Sequence, residues 1–154
     1  MSDPEALVRR LLQFDRVFNM FNMEMVELNH ERCVIEMTVT EEMTNGAGVC
    51  QGGVVFILAD TAMAMSASSH DEMALATNGS IEWVKSAYPG DRLTAIGTTR
   101  WKGKRPSLHD AVVTNQDGVE IAHFYGRMQR VGGTISEFLH EREQRPQSSK
   151  PSTT

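Results

Sequence analysis

The chain has 154 residues, 15 Lys/Arg against 20 Asp/Glu, and a formal charge of −5. That length suits one domain with its own core, and 40% hydrophobic with 23% charged content excludes a disordered chain. A weakly acidic balance without a basic stripe argues against nucleic acid as a partner. The longest nearly apolar stretch, 54–67, is broken by Asp60, Thr61 and Ser66 and is too short to span a bilayer, so no membrane partner is expected. The opening MSDPEALVRR is acidic and then amphipathic, unlike a secretory signal, which makes a cytoplasmic location the expectation. In that compartment Cys33 and Cys50 read as free thiols.

Residues 2–5 read as a helix start, with Ser2 able to cap, Glu5 three positions on and proline in the first turn. Leu7, Leu11, Phe14 and Phe18 recur at helical spacing, which predicts one amphipathic helix over 4–18. Two strands are expected near 20–28 and 32–40. In the second, Cys33, Ile35, Met37 and Val39 alternate with Glu36, Thr38 and Thr40, so one face is apolar. A loop over 41–53 carries Gly46, Gly48, Gly52 and Gly53, where the backbone can approach something closely. Residues 54–68 are apolar or small nearly all round, the mark of a buried helix.

Four strands are expected after it, near 74–85, 91–102, 106–115 and 119–131, with turn signals at 88–91, 102–104 and 115–118 that imply antiparallel neighbours. A short helix over 136–144 and a polar, disordered tail over 145–154 close the chain. The order predicts an α+β architecture, a long buried helix wrapped on all sides by a curved antiparallel sheet.

Asp60 is the residue that this pattern does not explain. Its helical neighbours Phe56, Ile57, Met63 and Ala64 cannot pair with a carboxylate. Either it meets an arginine from a strand (Arg92, Arg100 or Arg127), or it is a poised base or nucleophile. Gly52 and Gly53 sit before the helix, so their N–H groups fall where donors are unpaired and the helix dipole is positive. That place suits a carbonyl oxygen gaining negative charge, and Asn45 and Gln51 add side-chain amides nearby. Gly52 and Asp60 are eight residues apart, about 12 Å along a helix. If both act on one carbonyl, they come from two chains with antiparallel helices, in a two-fold dimer with two shared sites.

The run from Asn45 through Gly48 and Gln51-Gly52-Gly53, followed by Leu58-Ala59-Asp60-Thr61-Ala62, resembles the signature of the hotdog-fold acyl-CoA thioesterases, in particular the phenylacetate-degradation (PaaI-like) branch. The likeness continues through Tyr88-Pro89-Gly90-Asp91-Arg92-Leu93, Asn115-Gln116-Asp117-Gly118 and Arg130-Val131-Gly132-Gly133. It implies a hotdog domain over 1–133, with 134–154 a short helix and tail, and protomers pairing edge to edge, commonly as a dimer of dimers. It implies an acyl-CoA substrate, with coenzyme A as part of the substrate and no separate cofactor. Asp60 takes the place of the family's catalytic carboxylate, Gly52 of the glycine whose N–H polarises the carbonyl, and Asn45 of the asparagine that positions water or substrate. The family's usual histidine is Gln51 here. A glutamine amide still donates a hydrogen bond but does not change charge near neutral pH. That leaves a hydrolase or a protein that binds acyl-CoA without cleaving it, while a hydratase or dehydratase on the same fold would need a histidine acid/base that the site does not offer.

Gly53, Asn78 and Trp83 are further candidates for the substrate pocket, and Lys102, Lys104 and Arg105 for gripping coenzyme A phosphates. Cys50 is a weaker candidate nucleophile. The five histidines lack metal-ligand spacing and no Gly-x-Ser-x-Gly elbow occurs, so neither a metal nor a serine nucleophile is expected.

Overall fold

The computed structural model describes residues 3–145. Ser2 and the tail beyond residue 145 lie outside them. The elements run α1 (Pro4–Leu12), α2 (Arg16–Met20), β1 (Glu24–Asn29), β2 (Arg32–Thr38), a 3-10 turn (Glu41–Met43), α3 (Gly52–Ser68), β3 (Ala74–Trp83), β4 (Arg92–Lys102), β5 (Pro106–Thr114), β6 (Glu120–Arg130) and α4 (Ile135–Gln144). The six strands form one sheet in the order β1-β2-β4-β5-β6-β3, with every neighbouring pair antiparallel.

The predicted helix over 4–18 is two helices. Asp3 caps the first, its carboxylate accepting from the Glu5 N–H. The chain then leaves the helix at Gln13–Phe14 through i→i−3 bonds, and Asp15 caps a second start by accepting from the Phe18 N–H at 2.9 Å. An aspartate accepts such a bond only where the backbone is not yet helical. The break splits the apolar face. Leu7, Leu11 and Phe14 join Ile135 and Leu139 of α4 in a small cluster, while Leu12 and Phe18 enter the main core. The first strand consequently starts at Glu24, since Met20 ends α2.

The alternation expected over 32–40 is present except at Val34, which is buried too: Cys33, Ile35, Met37 and Val39 are buried. β4 and β5 alternate likewise, and Leu93, Ala95, Ala111, Val113, Ala122, Phe124 and Met128 complete the inner face on which α3 lies. Burial of each large side chain there contributes about 1.5–3 kcal/mol. The helix comes close to the sheet at Gly97, where a Cβ would collide with the Ala62 carbonyl. No side chain fits between α3 and β4 at that point.

Two expectations about connectivity need correction. The turn at Tyr88–Asp91 exists, closed by bonds between the Asp91 N–H and Tyr88 carbonyl and between the Tyr88 N–H and Asp91 carboxylate. It does not join neighbouring strands, because β3 pairs with β6 and the chain crosses the structure to reach β4. Nor does the sheet cover α3 on all sides. Val55, Leu58, Ala59, Ala62, Met63 and Met65 are buried. Gly53 is exposed, and Phe56, Ile57, Asp60, Thr61, Ala64 and Ala67 are only half-buried. Those positions recur at 3 and 4, so they form one open stripe along the helix. Next to it, β3 is an edge strand exposed along nearly all of its ten residues.

Candidate active site

The loop before α3 is shaped by Asn45. Its side-chain oxygen accepts from the Ala47 N–H at 2.9 Å and the Val49 N–H at 3.4 Å, while its own N–H donates to the Val49 carbonyl. The oxygen is therefore committed to the loop, and the amide nitrogen of this exposed residue remains as a donor. The helix begins two residues earlier than the apolar pattern predicts, at Gly52, with exposed Gln51 at the cap position. The Gln51 side chain makes no capping bond. Its carbonyl accepts from both the Val54 and Val55 N–H groups, and the Gln51 N–H donates to Met43. That leaves the Gly52 and Gly53 N–H groups without an acceptor among the described residues, two donors at the positive end of a 17-residue helix.

Asp60 lies two turns further on, half-buried in the open stripe. It has no hydrogen bond or ion pair with any described residue. The three arginines considered as partners are engaged elsewhere: Arg92 with Glu36 and Glu24, Arg100 with Asp110, and Arg127 with Gln129. Burial raises the Asp60 pKa above the ordinary aspartate range, because a desolvated carboxylate resists ionising. Desolvated, unpaired among the described residues and only half-buried, it has the chemistry to act as a proton acceptor or a nucleophile.

The remaining candidates divide between the two ends of α3. Trp83, at the end of β3, packs on Gly52 and donates from its indole N–H to the Gly52 carbonyl at 3.0 Å. Asn78 lies mid-strand, exposed, directly after a bulge between Ala76 and Asn78; bulges of this kind re-aim side chains beside sites. The basic turn lies at the opposite end. Lys102 pairs with Ser107 across the β4–β5 turn, and Pro106 and Leu75 both face Gln129. Lys102 is partly spoken for, its ammonium 3.0 Å from Glu72. Arg130, absent from the candidates, organises this turn by binding Glu72 and the carbonyls of Gly103 and Lys104. Burial pushes the Glu72 carboxyl up, but its bonds to Arg130 and Lys102 outweigh that and lower its pKa. Lys104 and Arg105 are exposed and form no salt bridge among the described residues. One protomer thus gathers Gln51, Gly52, Gly53 and Trp83, and holds Asp60 about 12 Å along the helix from Gly52.

Both cysteines are free and buried. Burial pushes the Cys50 thiol up to about 11 and the Cys33 thiol to about 12, so neither is a thiolate at neutral pH and Cys50 is a poor nucleophile. Among the described residues, no three His, Cys, Asp or Glu side chains cluster as a metal site, and no helix is long and apolar enough to cross a membrane. His109 is buried near the C-terminal end of α3 among hydroxyls, with Ser107 at 2.7 Å, Thr99 at 3.1 Å and Ser66 at 3.3 Å. Burial lowers its pKa from 6.5 to about 4. The unfolded chain therefore takes up this proton first, and stability falls as pH drops from about 6.5 to about 4. At about 1.4 kcal/mol per pKa unit this is of the order of 3 kcal/mol. Urea titrations of His109→Gln should show a shallower loss across that window; an unchanged slope would place the acid sensitivity elsewhere.

A thioesterase superfamily profile matches residues 47–122. The acyl-coenzyme A thioesterase PaaI of Escherichia coli is 36% identical over 113 residues, covering 73% of this chain and 81% of that protein. The chain belongs to the thioesterase superfamily, an enzyme of the thioester-hydrolase class, and its α+β architecture is the hotdog fold. A putative esterase of Archaeoglobus fulgidus is 34% identical over 117 residues, 76% of each chain. Among solved structures, PaaI from the Escherichia coli phenylacetic acid degradation operon superposes with a TM-score of 0.84 at 31% identity, over 86% of this chain and 96% of that one. The smu.793 protein of Streptococcus mutans UA159, solved bound to acetyl CoA, superposes with a TM-score of 0.71 at 27% identity, over 73% and 91%.

Proposed function

We propose that this chain hydrolyses acyl-CoA thioesters to the free acid and coenzyme A, at sites shared between two copies. The observation that carries the reading is Asp60, a half-buried carboxylate without a partner among the described residues, on the open stripe of α3 beside an exposed edge strand. Two copies joined antiparallel along β3 would satisfy that edge's unpaired backbone groups. Such pairing sets the Trp83 end of one β3 beside the Ala74 end of the other. The Gly52 donors of one protomer would then face the α3 stripe and basic turn of its partner.

In this arrangement the thioester carbonyl lies at the Gly52 and Gly53 N–H groups, which stabilise the oxyanion. The Asn45 amide nitrogen helps place the attacking group, and Gln51 donates where a histidine is usual. The partner's Asp60 takes a proton from water as the water oxygen bonds to the acyl carbon. The C–S bond then breaks, and the coenzyme A sulfur leaves and is reprotonated. In the other route the Asp60 carboxylate attacks directly and water cleaves the resulting anhydride. A single turnover in oxygen-labelled water separates the two, since only the second route puts label into Asp60. Lys104 and Arg105, with Lys102 partly held by Glu72, offer cations to the coenzyme A phosphates. Phe56 and Ile57 beside Asp60 offer an apolar wall to the acyl group. Together with the PaaI relatives, they support aryl-acetyl, hydroxyaryl-acetyl or medium-chain acyl groups. A dimer of dimers and a single 1–133 domain belong to the same reading.

Thiol release from a panel of acyl-CoA esters tests it. Turnover is expected, with kcat/KM falling on the acid side at an apparent pKa above the ordinary aspartate value of about 3.9. Tight acyl-CoA binding without thiol release would instead favour a ligand-binding protein. Gln51 is the feature that favours this second reading, since it removes the titratable group from the loop.

A further inference from the structure

From the contact between β3 and the start of α3, we infer that Trp83 is a positioning residue that aims the Gly53 N–H at the reacting carbonyl by holding the Gly52–Gly53 peptide from behind. The inference rests on the oxyanion role just proposed for this helix start. Three observations place Trp83 there. Its indole N–H donates to the Gly52 carbonyl at 3.0 Å. Its ring lies so close that a Cβ on Gly52 would come within 2.9 Å of it. The Gly53 N–H, in the same peptide unit as that carbonyl, has no acceptor among the described residues, and a Cβ on Gly53 would meet nothing within 4 Å.

The two ends of one trans peptide point in opposite directions. A donor fixed to the Gly52 carbonyl therefore fixes the direction of the Gly53 N–H. Hydrogen bonding at the carbonyl also polarises the amide and strengthens its N–H as a donor. Within α3 the Gly52 carbonyl also lies in line to accept the i+4 bond from the Phe56 N–H, so the indole is a second, lateral tie on a peptide that gains no side-chain cap from Gln51 and is built of two permissive glycines. The need for glycine at position 52 follows from the indole, whereas the space around position 53 is open. This differs from the expectation that Trp83 lines the acyl pocket. An acyl wall acts on binding, whereas a peptide clamp acts on the transition state.

Trp83→Phe keeps an aromatic ring on Gly52 and removes only the N–H. The expected result is about five-fold lower kcat with KM changed less than about two-fold, the loss of one hydrogen bond felt mainly in the transition state. In nitrogen-15 spectra of the same variant the Gly53 amide proton should shift upfield, with most other amides unmoved. A raised KM at unchanged kcat would overturn the clamp and make Trp83 a pocket wall. Unchanged kcat with an unmoved Gly53 amide would overturn it outright. Wild-type protein that releases no thiol would defeat the thioesterase reading and the catalytic consequence together, while the Gly53 shift would still decide whether the clamp exists.

Discussion

Asp60→Asn should lower thioester turnover by about 10²-fold or more while leaving the fold intact, whichever of the two routes Asp60 follows. Asparagine has nearly the shape of aspartate but neither takes a proton from water nor attacks a carbonyl. The fold should not suffer, because Asp60 has no ion pair or hydrogen bond among the described residues to lose. The sign of the stability effect follows from its raised pKa. In the unfolded chain the carboxyl ionises at about 3.9; in the folded chain it ionises later. Folding is therefore penalised increasingly as pH rises from about 3.9 through the folded value, and the penalty persists above it. Asparagine removes that penalty, so the variant should melt at the same temperature as wild type or higher at pH 7. Thiol-release kinetics and thermal melts on one preparation check both halves. Retained turnover would remove Asp60 from the chemistry, and a much lower melting temperature would mark it as structural.

Mixing two inactive variants should restore activity if the sites are shared. Asn45→Asp keeps the side-chain oxygen that accepts from Ala47 and Val49 and replaces the amide donor with a charged acceptor oxygen, so the loop should hold its shape while the donor is lost. Asp60→Asn removes the carboxylate. In a dimer of one of each, one site has both native groups and the other has neither. Random exchange makes half of the dimers mixed, and each carries one good site of two, so about a quarter of wild-type turnover should return. Co-expression with two affinity tags gives the mixed dimer directly, and it should show about half of the wild-type rate. Mixed dimers no more active than the average of the two parents would mean that Asn45 and Asp60 serve the same protomer's site, or none.

Much of this molecule is legible in local residue pattern. The alternation of Cys33, Ile35, Met37 and Val39, the apolar run of α3 and the turn residues around Asn115–Gly118 reflect forces acting over a few residues. Each strand and helix they predict is present. The errors arise where distant segments compete for one residue. Phe14 looks like part of a continuous face with Leu11 and Phe18, but it packs in the cluster with α4, and the backbone breaks at Asp15 to allow that. The turn at Tyr88–Asp91 has the residues of a hairpin, yet β3 pairs with β6, a choice set by sheet topology that no four-residue pattern encodes.

The candidate site divides in the same way. A carboxylate in apolar surroundings and two glycines at a helix start are visible as chemistry from residue type and spacing alone, because burying a charge is costly wherever it occurs and helix ends always leave donors free. Whether Arg92, Arg100 or Arg127 neutralised that carboxylate was a question of distance across the sheet, answered by Glu36, Asp110 and Gln129 taking those arginines instead. The indole tie from Trp83 to Gly52 spans 31 positions of sequence, and the half-open stripe of α3 exists only because β3 lies at the sheet edge. These are products of long-range packing, in which contacts are chosen by the shape of the whole chain and leave no periodic trace in any part of it.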